Sequence, residues 1–332
     1  MKAFLALLKA RNLEFLRDRS ALTWNVLFPL LLIMSFAVIF SNDTKLSYKV
    51  GVLGSLENLS QNLRETKYLD FVSFDEKEIA IKKVSQHQID MLLELGEKPH
   101  YWINSTSPNG YILERVLKGS GEQQFEKSEV TGKEIRYIDW ALPGILAMNI
   151  MFSCLFGVGY VIVRYRKNGF LKRLKATPLS AYQFLVAQLV SRLLLIMSIT
   201  VIVYIGCDIF IDFHMIGSYV LLFFTAILGS ICMISLGLLS ASRIRSEELA
   251  GGILNLATWP MMILSGVWFS LEGAPDVIKL MAQALPLTHF VDATRAIMTE
   301  GAGIAEIAPE LITLSIMSLI FLLIGSLIFR WN

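Results

Sequence analysis

Five long stretches of the chain contain no Asp, Glu, Lys or Arg, and they constrain the fold more than any other feature. A helix that crosses a bilayer needs roughly 20 mainly apolar residues, because it must satisfy its backbone hydrogen bonds internally. A sixth segment, 184–207, is apolar apart from Arg192. The pattern predicts six membrane-spanning helices. The charge-free stretches are 20–42, 140–163, 213–242, 249–271 and 311–329.

The composition of the 332 residues agrees with this prediction. Hydrophobic residues make up 54% and charged residues 17%, and the mean hydropathy is +0.56. Soluble domains contain about 25% charged residues, so an ordinary soluble enzyme, a disordered tail and a coiled-coil rod are excluded. The net charge of +2 gives no indication of nucleic-acid binding. The three cysteines lie in or beside apolar stretches, so no disulfide framework is predicted.

The distribution of Lys and Arg among the short loops predicts the orientation. Fourteen of them lie in the N-terminal segment 1–19, the loops 164–183 and 242–248, and the C-terminus, whereas the opposite short loops hold two. Both termini are therefore expected in the cytoplasm. A cleaved signal peptide is the alternative for 20–42, but its apolar stretch exceeds the usual 7–15 residues.

The polar segment 43–137 is long enough to fold outside the bilayer. Its residue patterns predict strands and helices, so we expect a small α+β extracytoplasmic domain inserted after the first helix. With the five-span region 138–332, the predicted fold class is an all-α polytopic membrane protein with six transmembrane helices and this inserted domain. The predicted strands are Tyr48–Gly54, Asp90–Leu95 and His100–Ile103, and the predicted helices are Leu56–Lys67, Asp75–Gln88 and Pro108–Val130.

Motifs for catalysis or for a bound cofactor do not emerge from the sequence. His87 and His100 lack the spacing of metal ligands and are predicted to be surface histidines. The sequence contains no phosphate-binding loop, since Gly132 and Lys133 are followed by Glu134 rather than Ser or Thr. We therefore expect a chain that is not an enzyme by itself and that holds no metal or cofactor.

The loop 164–183 carries six basic residues and no acidic one. Helical spacing places Leu171 and Leu174 on one face, and Pro178 ends the helix and pushes Thr177 toward an extended conformation. Contact with anionic lipid on the cytoplasmic side explains the charge. Docking of a cytoplasmic partner explains the charge together with the glycine, the apolar face and the Thr-Pro stop. The residues alone leave both explanations open.

Three motifs follow one another along the chain. The first is Ala141–Met148 (ALPGILAM), at the start of the second span. The second is Gly169–Ser180 (GFLKRLKATPLS). The third is Leu264–Phe269 (LSGVWF), followed by Leu285–Arg295 (LPLTHFVDATR). In this order the motifs resemble the permease subunit of bacterial type-2 ABC exporters, and the second is similar to the family's coupling segment. One departure is Asn168, which stands where many relatives carry an acidic residue before the coupling glycine.

The resemblance implies a permease of an ATP-driven exporter in the bacterial cytoplasmic (inner) membrane, moving a lipophilic or amphiphilic substrate such as a drug, a lipid-linked molecule or a peptide. A separate ABC ATP-binding subunit would hold the ATP and Mg. It would dock on 164–183 and on a cytoplasmic amphipathic helix that the resemblance implies at 1–19 (about Lys2–Arg17). A second permease, identical or a sister, would complete the pathway, and a periplasmic adaptor is a further implied partner. The implied coupling residues are Arg166, Lys167, Gly169, Phe170, Leu171, Lys172, Arg173, Leu174, Thr177 and Pro178.

Several residues in the apolar region are further candidates. The candidates for a substrate path are Met148, Asn149, Asn255 and Met262. Hydrogen bonding between helices is the alternative role for the asparagines. Arg192 is expected to reach the interface or to bind a structural partner, and a role in transport is the alternative. The resemblance also implies short or re-entrant outer helices at 272–307. There Asp292 and Arg295 have the spacing of a structural pair, with contact to a substrate as the alternative.

Two other functions fit part of the sequence. A membrane-anchored sensor or assembly protein would act through the domain at 43–137 and would not require the basic loop. A secondary transporter driven by protons or sodium would need acidic residues inside the spans, and the charge-free stretches contain none.

Overall fold

A computed structural model describes residues 2–39, 48–54, 59, 61–64, 66–95, 99–119, 125–132, 135–176, 181–213, 215–244, 246–271 and 274–328. The chain divides into two compact units. One unit combines Met1–Ile39 with Tyr137–Asn332, and the other is Phe40–Arg136. The described residues are mostly helical and include one small mixed sheet.

Among the described residues, strands occur in the second unit alone, where they alternate with helices. In chain order the helices are α1 (Lys2–Arg17), α2 (Arg19–Ile39), α3 (Gln61–Arg64), α4 (Lys77–Ser85), α5 (Pro108–Gly119), α6 (Tyr137–Leu155), α7 (Val161–Lys167), α8 (Phe170–Lys175), α9 (Ala181–Ile211), α10 (Tyr219–Ala241), α11 (Glu247–Leu264), α12 (Asp276–Gln283), α13 (Pro286–Arg295) and α14 (Ala308–Ile328). Two π-helical turns, Phe156–Tyr160 and Ala296–Glu300, follow α6 and α13.

Within the described residues, five helical segments are long and apolar enough to cross a membrane. They coincide with five of the predicted spans. The remaining prediction, 249–271, overlaps α11, which begins at Glu247 and ends at Leu264, just before Gly266 at a φ of 67°. A left-handed glycine of this kind commonly terminates a helix. The sixth span stays a prediction. The five segments are Leu22–Ile39, Tyr137–Lys167, Gln183–Ile211, Tyr219–Ala241 and Ala308–Ile328.

The helix α10 packs against α6, α9, α13 and α14 at the centre of the helical unit. Small residues allow this close approach. A Cβ added to Gly229 would lie 2.6 Å from the ring of Phe290, and one added to Gly237 would lie 3.3 Å from the backbone of Leu155. The three cysteines are free and buried. The helices therefore pack through small and apolar side chains, as membrane helices commonly do.

The second unit contains a five-stranded sheet in the order β2-β1-β3-β4-β5. Its strands pair in parallel except for β3 with β4, which are antiparallel. Alternate side chains face two apolar cores, so that Val50 and Val52 pack on the α5 side while Leu92 and Trp102 pack on the α4 side. The strands are β1 (Tyr48–Leu53), β2 (Leu69–Phe74), β3 (Met91–Glu94), β4 (His100–Asn104) and β5 (Glu126–Val130).

The mixture of helices and strands predicted for this unit is confirmed, but some of its elements differ from the predictions. The helix predicted over Pro108–Val130 is wrong in its second half, because α5 ends at Gly119 and Glu126–Val130 forms β5 instead. The strand Leu69–Phe74 was not predicted. Of the helix predicted at Leu56–Lys67, Gln61–Arg64 is helical, whereas the prediction is wrong for Thr66 and Lys67, which lie outside the helix.

The two histidines of this unit also differ in environment. His100 is half-buried, its ring lies 4.3 Å from that of Trp102, and its Nε2 is 2.6 Å from Ser128 Oγ. His87 is half-buried as well, so both histidines remain partly exposed and their prediction as surface residues stays a prediction. The His87 Nε2 lies 3.3 Å from the exposed carbonyl of Gly132.

Glu114 on α5 is a buried carboxylate that accepts hydrogen bonds from Lys118 at 2.5 Å, Lys127 at 3.0 Å and Tyr101 at 3.2 Å. The bond from Lys118, supported by Lys127 and Tyr101, lowers the pKa of Glu114 to about 2 against the opposing effect of burial. Burial, followed by the charge of Glu114, raises the pKa of Tyr101 to about 12. Because the carboxylate pKa is depressed, its stabilisation is present above about pH 4.5 and is lost as the pH falls toward 2.

We expect Glu114→Gln to lower the free energy of unfolding by about 1–2 kcal/mol at pH 7, because charge-assisted hydrogen bonds are lost. The difference from the wild type should shrink as the pH falls below 4.5. Urea unfolding of the purified full chain in detergent measures both effects. Glu94→Gln is the control, since the Lys77–Glu94 pair is solvent-exposed and should contribute under about 1 kcal/mol. Equal losses in the two variants would contradict the assignment.

Candidate functional site

The segment 161–176, which we call the elbow, joins α7 to α8 through a tight turn. Gly169 adopts a φ of 68°, a left-handed conformation that a side chain disfavours. The amide of Asn168 donates to the Arg164 carbonyl at 3.0 Å, and the amide of Gly169 donates to the Arg166 carbonyl at 3.2 Å. These bonds satisfy carbonyls at the end of α7. The Asn-Gly sequence therefore ends one helix and redirects the chain into the next.

One face of the elbow packs into the helical unit. Leu171 and Tyr165 are buried, and Phe170 and Leu174 are half-buried. The rings of Tyr165 and Phe170 lie 4.6 Å apart. The apolar face predicted from Leu171 and Leu174 is therefore confirmed, and it points inward.

Arg166 joins the elbow to the end of α10. Its side chain is buried and donates to the carbonyls of Ala241 at 2.9 Å and Ser242 at 3.0 Å, and to that of Ile244. The last carbonyls of a helix lack partners within that helix, and a guanidinium supplies several donors at fixed angles. Arg166, one of the predicted coupling residues, therefore supports the elbow and does not expose its charge to a partner.

The beginning of α11 is also joined to this region. The Lys167 ammonium lies 3.5 Å from Glu247, and the Tyr160 hydroxyl donates to Glu247 at 2.9 Å. Ser246 caps α11 by accepting from the Leu249 amide at 3.1 Å. The hydroxyl of Ser246 donates to Glu248, and this bond lowers the pKa of the Glu248 carboxyl. The turn between α10 and α11 thus shares direct bonds with the elbow.

The N-terminal helix α1 lies against the other side of the elbow. Arg164 donates to Glu14 at 3.3 Å, and the Tyr165 hydroxyl donates to the same carboxylate. The guanidinium of Arg11 lies 4.8 Å from the centre of the Tyr165 ring. Movement of the elbow would therefore also affect α1.

The outward side of the elbow carries Lys167, Asn168, Lys172 and Arg173, and we call these four residues the basic docking face. All four are exposed. Arg173 donates to the Asn168 carbonyl at 3.4 Å, which orients the two residues. Within the described part of the elbow, this face contains no acidic residue. Thr177 and Pro178 lie outside the described residues.

The four candidates for a substrate path lie in different environments. Met148 is 3% exposed within the helical core, while Asn149 and Met262 are half-buried. Asn255 is exposed on α11, where its carbonyl accepts from the Thr258 hydroxyl at 3.3 Å. Their role in a substrate path stays a prediction.

Arg192 binds a structural partner, as one of the two sequence interpretations expected. Its guanidinium donates to the Ser153 carbonyl at 2.8 and 3.2 Å and lies 4.9 Å from the centre of the Phe15 ring. Gly157 provides the space, since an added Cβ would lie 1.5 Å from Arg192 Nη2. The sequence shows the glycine, but it does not show that an arginine on another helix needs this space.

Arg295 on α13 also binds backbone, although the sequence suggested a pair with Asp292. The two side chains are 4.0 Å apart and Asp292 is exposed, so this pair is weak. Arg295 instead donates to the carbonyls of Trp140 at 3.2 Å and Gly266 at 2.7 Å. Its guanidinium also lies 3.9 Å from the centre of the Trp140 ring, which is a favourable cation–π geometry.

The comparison with known proteins decides the family. The profile of the family described as "ABC-2 family transporter protein" matches residues 19–327. The chain belongs to the ABC-2 transporter family. The resemblance seen in the three sequence motifs is thereby confirmed.

Relatives of this ABC-2 chain carry similar names. "Inner membrane transport permease YhhJ" of Escherichia coli (strain K12) is 26% identical over 198 residues, covering 56% of this chain and 51% of the relative. "Probable multidrug ABC transporter permease YbhR" of the same strain is 22% identical over 213 residues, covering 60% and 58%. "Probable multidrug ABC transporter permease YbhS" is 22% identical over 330 residues, covering 87% and 86%. The ABC-2 chain thus matches about half the length of the first two relatives.

Proposed function

We propose that this chain is the permease subunit of an exporter that is powered by a separate ABC ATPase, which binds the basic docking face. One observation carries the proposal: the elbow exposes positive charge on one side and is bonded to α1, α10 and α11 on the other. An ATPase that pushes on this face would move three helices together. Conformational coupling requires a contiguous path of this kind.

The orientation in the proposal follows from the distribution of charge. The elbow and the N-terminal segment hold most of the Lys and Arg of the short loops, and such loops stay in the cytoplasm. The proposed orientation places both termini in the cytoplasm and the unit Phe40–Arg136 on the outer side of the bacterial cytoplasmic membrane. On that side the unit would be accessible to a periplasmic adaptor. Export is the direction that the family resemblance implies.

The proposed substrate is lipophilic or amphiphilic. Two relatives are named as probable multidrug ABC transporter permeases, and the helical unit exposes many large apolar side chains. Among drugs, lipid-linked molecules and peptides, the proposal makes no choice.

The exposed face of α11 is the proposed contact for a second permease. Leu256, Trp259 and Ile263 are 75%, 56% and 55% exposed, and they lie on the same side as Gly252 and Asn255 at helical spacing. A Cβ added to Gly252 would meet no atom within 4 Å. A small residue and an amide on an otherwise apolar face allow close approach and a hydrogen bond between helices.

Affinity purification of the tagged chain from its native membrane in mild detergent tests the proposal. An ABC ATPase should accompany the chain, and addition of ATP should change the amount recovered or the thermal stability of the complex. Recovery of an ATPase bound to the elbow would also place the elbow in the cytoplasm. If no ATPase is recovered and nucleotide has no effect, the exporter proposal fails, and a sensor acting through Phe40–Arg136 becomes the better explanation.

A further inference from the structure

A polar cavity of about 250 Å³ lies between α1, α2, α7, α9 and the π-helical turn Phe156–Tyr160. Apolar side chains form part of its wall. The charged and amide groups that line it are Arg11, Glu14, Asp18, Asn25, Arg164, Gln188 and Arg192. Three guanidinium groups therefore face two carboxylates, and the cavity carries an excess of positive charge.

The carboxylate of Glu14 is already engaged in this arrangement. It accepts from Arg11 at 2.7 Å and from Arg164 at 3.3 Å. Arg192 donates its hydrogen bonds to the Ser153 carbonyl, and within the described residues no carboxylate lies within ion-pair distance of its guanidinium. Because a cation away from bulk water is costly without a counter-charge, the surroundings of Arg192 favour an anion.

Gln188 gives an independent indication of a missing acceptor. Its side chain is only 3% exposed, and its Oε1 accepts from Arg11 Nε at 2.6 Å. Its Nε2 is buried and has no hydrogen-bond partner in the described part of the chain. A buried donor without an acceptor costs about 1–3 kcal/mol. An anionic oxygen in the cavity would satisfy this amide and would balance Arg192 at the same time.

We propose that this cavity binds the phosphate of a phospholipid headgroup from the cytoplasmic leaflet. The inference rests on the orientation under the proposed function, in which α1 lies at the cytoplasmic surface and the cavity is at the depth of the headgroups. Phosphodiester oxygens suit arginine and amide donors. The acyl chains would extend along the apolar, exposed sides of the spans. The bound lipid would hold α1 against α9, next to the elbow.

The variant Gln188→Glu tests this site with little change in shape. Its carboxylate keeps an acceptor for Arg11 but replaces the Nε2 donor by an anionic oxygen that repels phosphate. Gln183→Glu is the matched control, because it makes the same change on an exposed position of the same helix, outside the cavity. Gln188→Met removes the Nε2 donor without adding charge. If Gln188→Glu does not fold, lipid binding by Gln188→Met tests the site instead.

The measurement is the thermal stability of the purified chain in mixed micelles titrated with phosphatidylglycerol, alongside native mass spectrometry for retained lipid. The wild type and Gln183→Glu should be stabilised by the lipid, and Gln188→Glu should bind it at least tenfold more weakly. Inorganic phosphate should give no comparable stabilisation. Equal lipid binding by all variants would overturn the proposal, and stabilisation by phosphate equal to that by lipid would overturn the lipid source.

The amount of ATPase that is recovered with each variant is measured in the same preparations. Gln188→Glu leaves the basic docking face unchanged, so it should recover the ATPase as the wild type does. Recovery of the ATPase with unaltered lipid binding would refute this inference alone. Lipid binding that depends on Gln188 without any recovered ATPase would support this inference and count against the proposed function.

Discussion

Replacing Lys172 and Arg173 together by glutamate should abolish recovery of an ABC ATPase with the permease. Both side chains are exposed on the basic docking face. The reversal removes two favourable charge contacts and creates two repulsive ones, and truncating a buried interfacial charge alone costs about 2–5 kcal/mol. We therefore expect the association to weaken by at least about 100-fold. Quantitative co-purification in mild detergent, together with the loss of ATP-dependent transport, measures the effect.

The fold should survive this change, because the elbow is held by its other face through Tyr165, Arg166 and Leu171. The melting temperature in detergent should stay within a few degrees of the wild type. Arg64→Glu with Lys67→Glu is the matched control, since it reverses two exposed basic residues in the other unit. Both proteins retaining the ATPase would rule out docking on this face and would favour the lipid-contact explanation of its charge.

The second large effect is expected from Arg166→Met. The substitution keeps much of the apolar stem but leaves the carbonyls of Ala241, Ser242 and Ile244 without their donor. Each buried polar group that loses its partner costs about 1–3 kcal/mol, so a loss of about 3 kcal/mol or more of stability is expected. Arg166→Lys should be intermediate, because an ammonium cannot reproduce the planar donor set.

Thermal unfolding of the purified chain in detergent measures this loss. Arg173→Met provides the comparison, since it removes the same kind of side chain from an exposed position seven residues away and should change stability by about 0.5 kcal/mol or less. If both variants unfolded at the same temperature, the hydrogen bonds of Arg166 would contribute nothing to holding α10, and its assigned role would be wrong.

The sequence predicted the apolar helices well because their length and lack of charge are local properties. The end of α11 was less clear, since Gly266 is one glycine in an apolar run that continues to Leu271. The strand Glu126–Val130 was predicted as a helix because its own residues, EKSEV, carry little preference for a strand. Its conformation depends on pairing with His100–Asn104, and that contact is not encoded locally.

The elbow shows the same limit at the level of the site. Helical spacing correctly predicted that Leu171 and Leu174 share one face and that Lys172 and Arg173 lie on another. It did not predict that the apolar face packs inward against the same chain. The position of Arg166 next to Lys167 gave no indication that one would be buried and the other exposed. The partners of Arg166 are backbone carbonyls about 75 residues further along the chain. Because every residue has a backbone carbonyl, the sequence does not indicate which carbonyls accept these hydrogen bonds.

The continuous helical segment Tyr137–Lys167 is 31 residues long, so at helical rise it extends over about 45 Å. Arg295 holds it near one end through the Trp140 carbonyl, and Arg166 holds it near the other. Because the segment is bonded near both ends, a small displacement of the elbow would tilt the whole segment and would be transmitted to Arg295. The π-helical turn Phe156–Tyr160 interrupts the regular hydrogen bonding. Any bending of the segment would therefore concentrate beside Gly157, at the wall of the polar cavity.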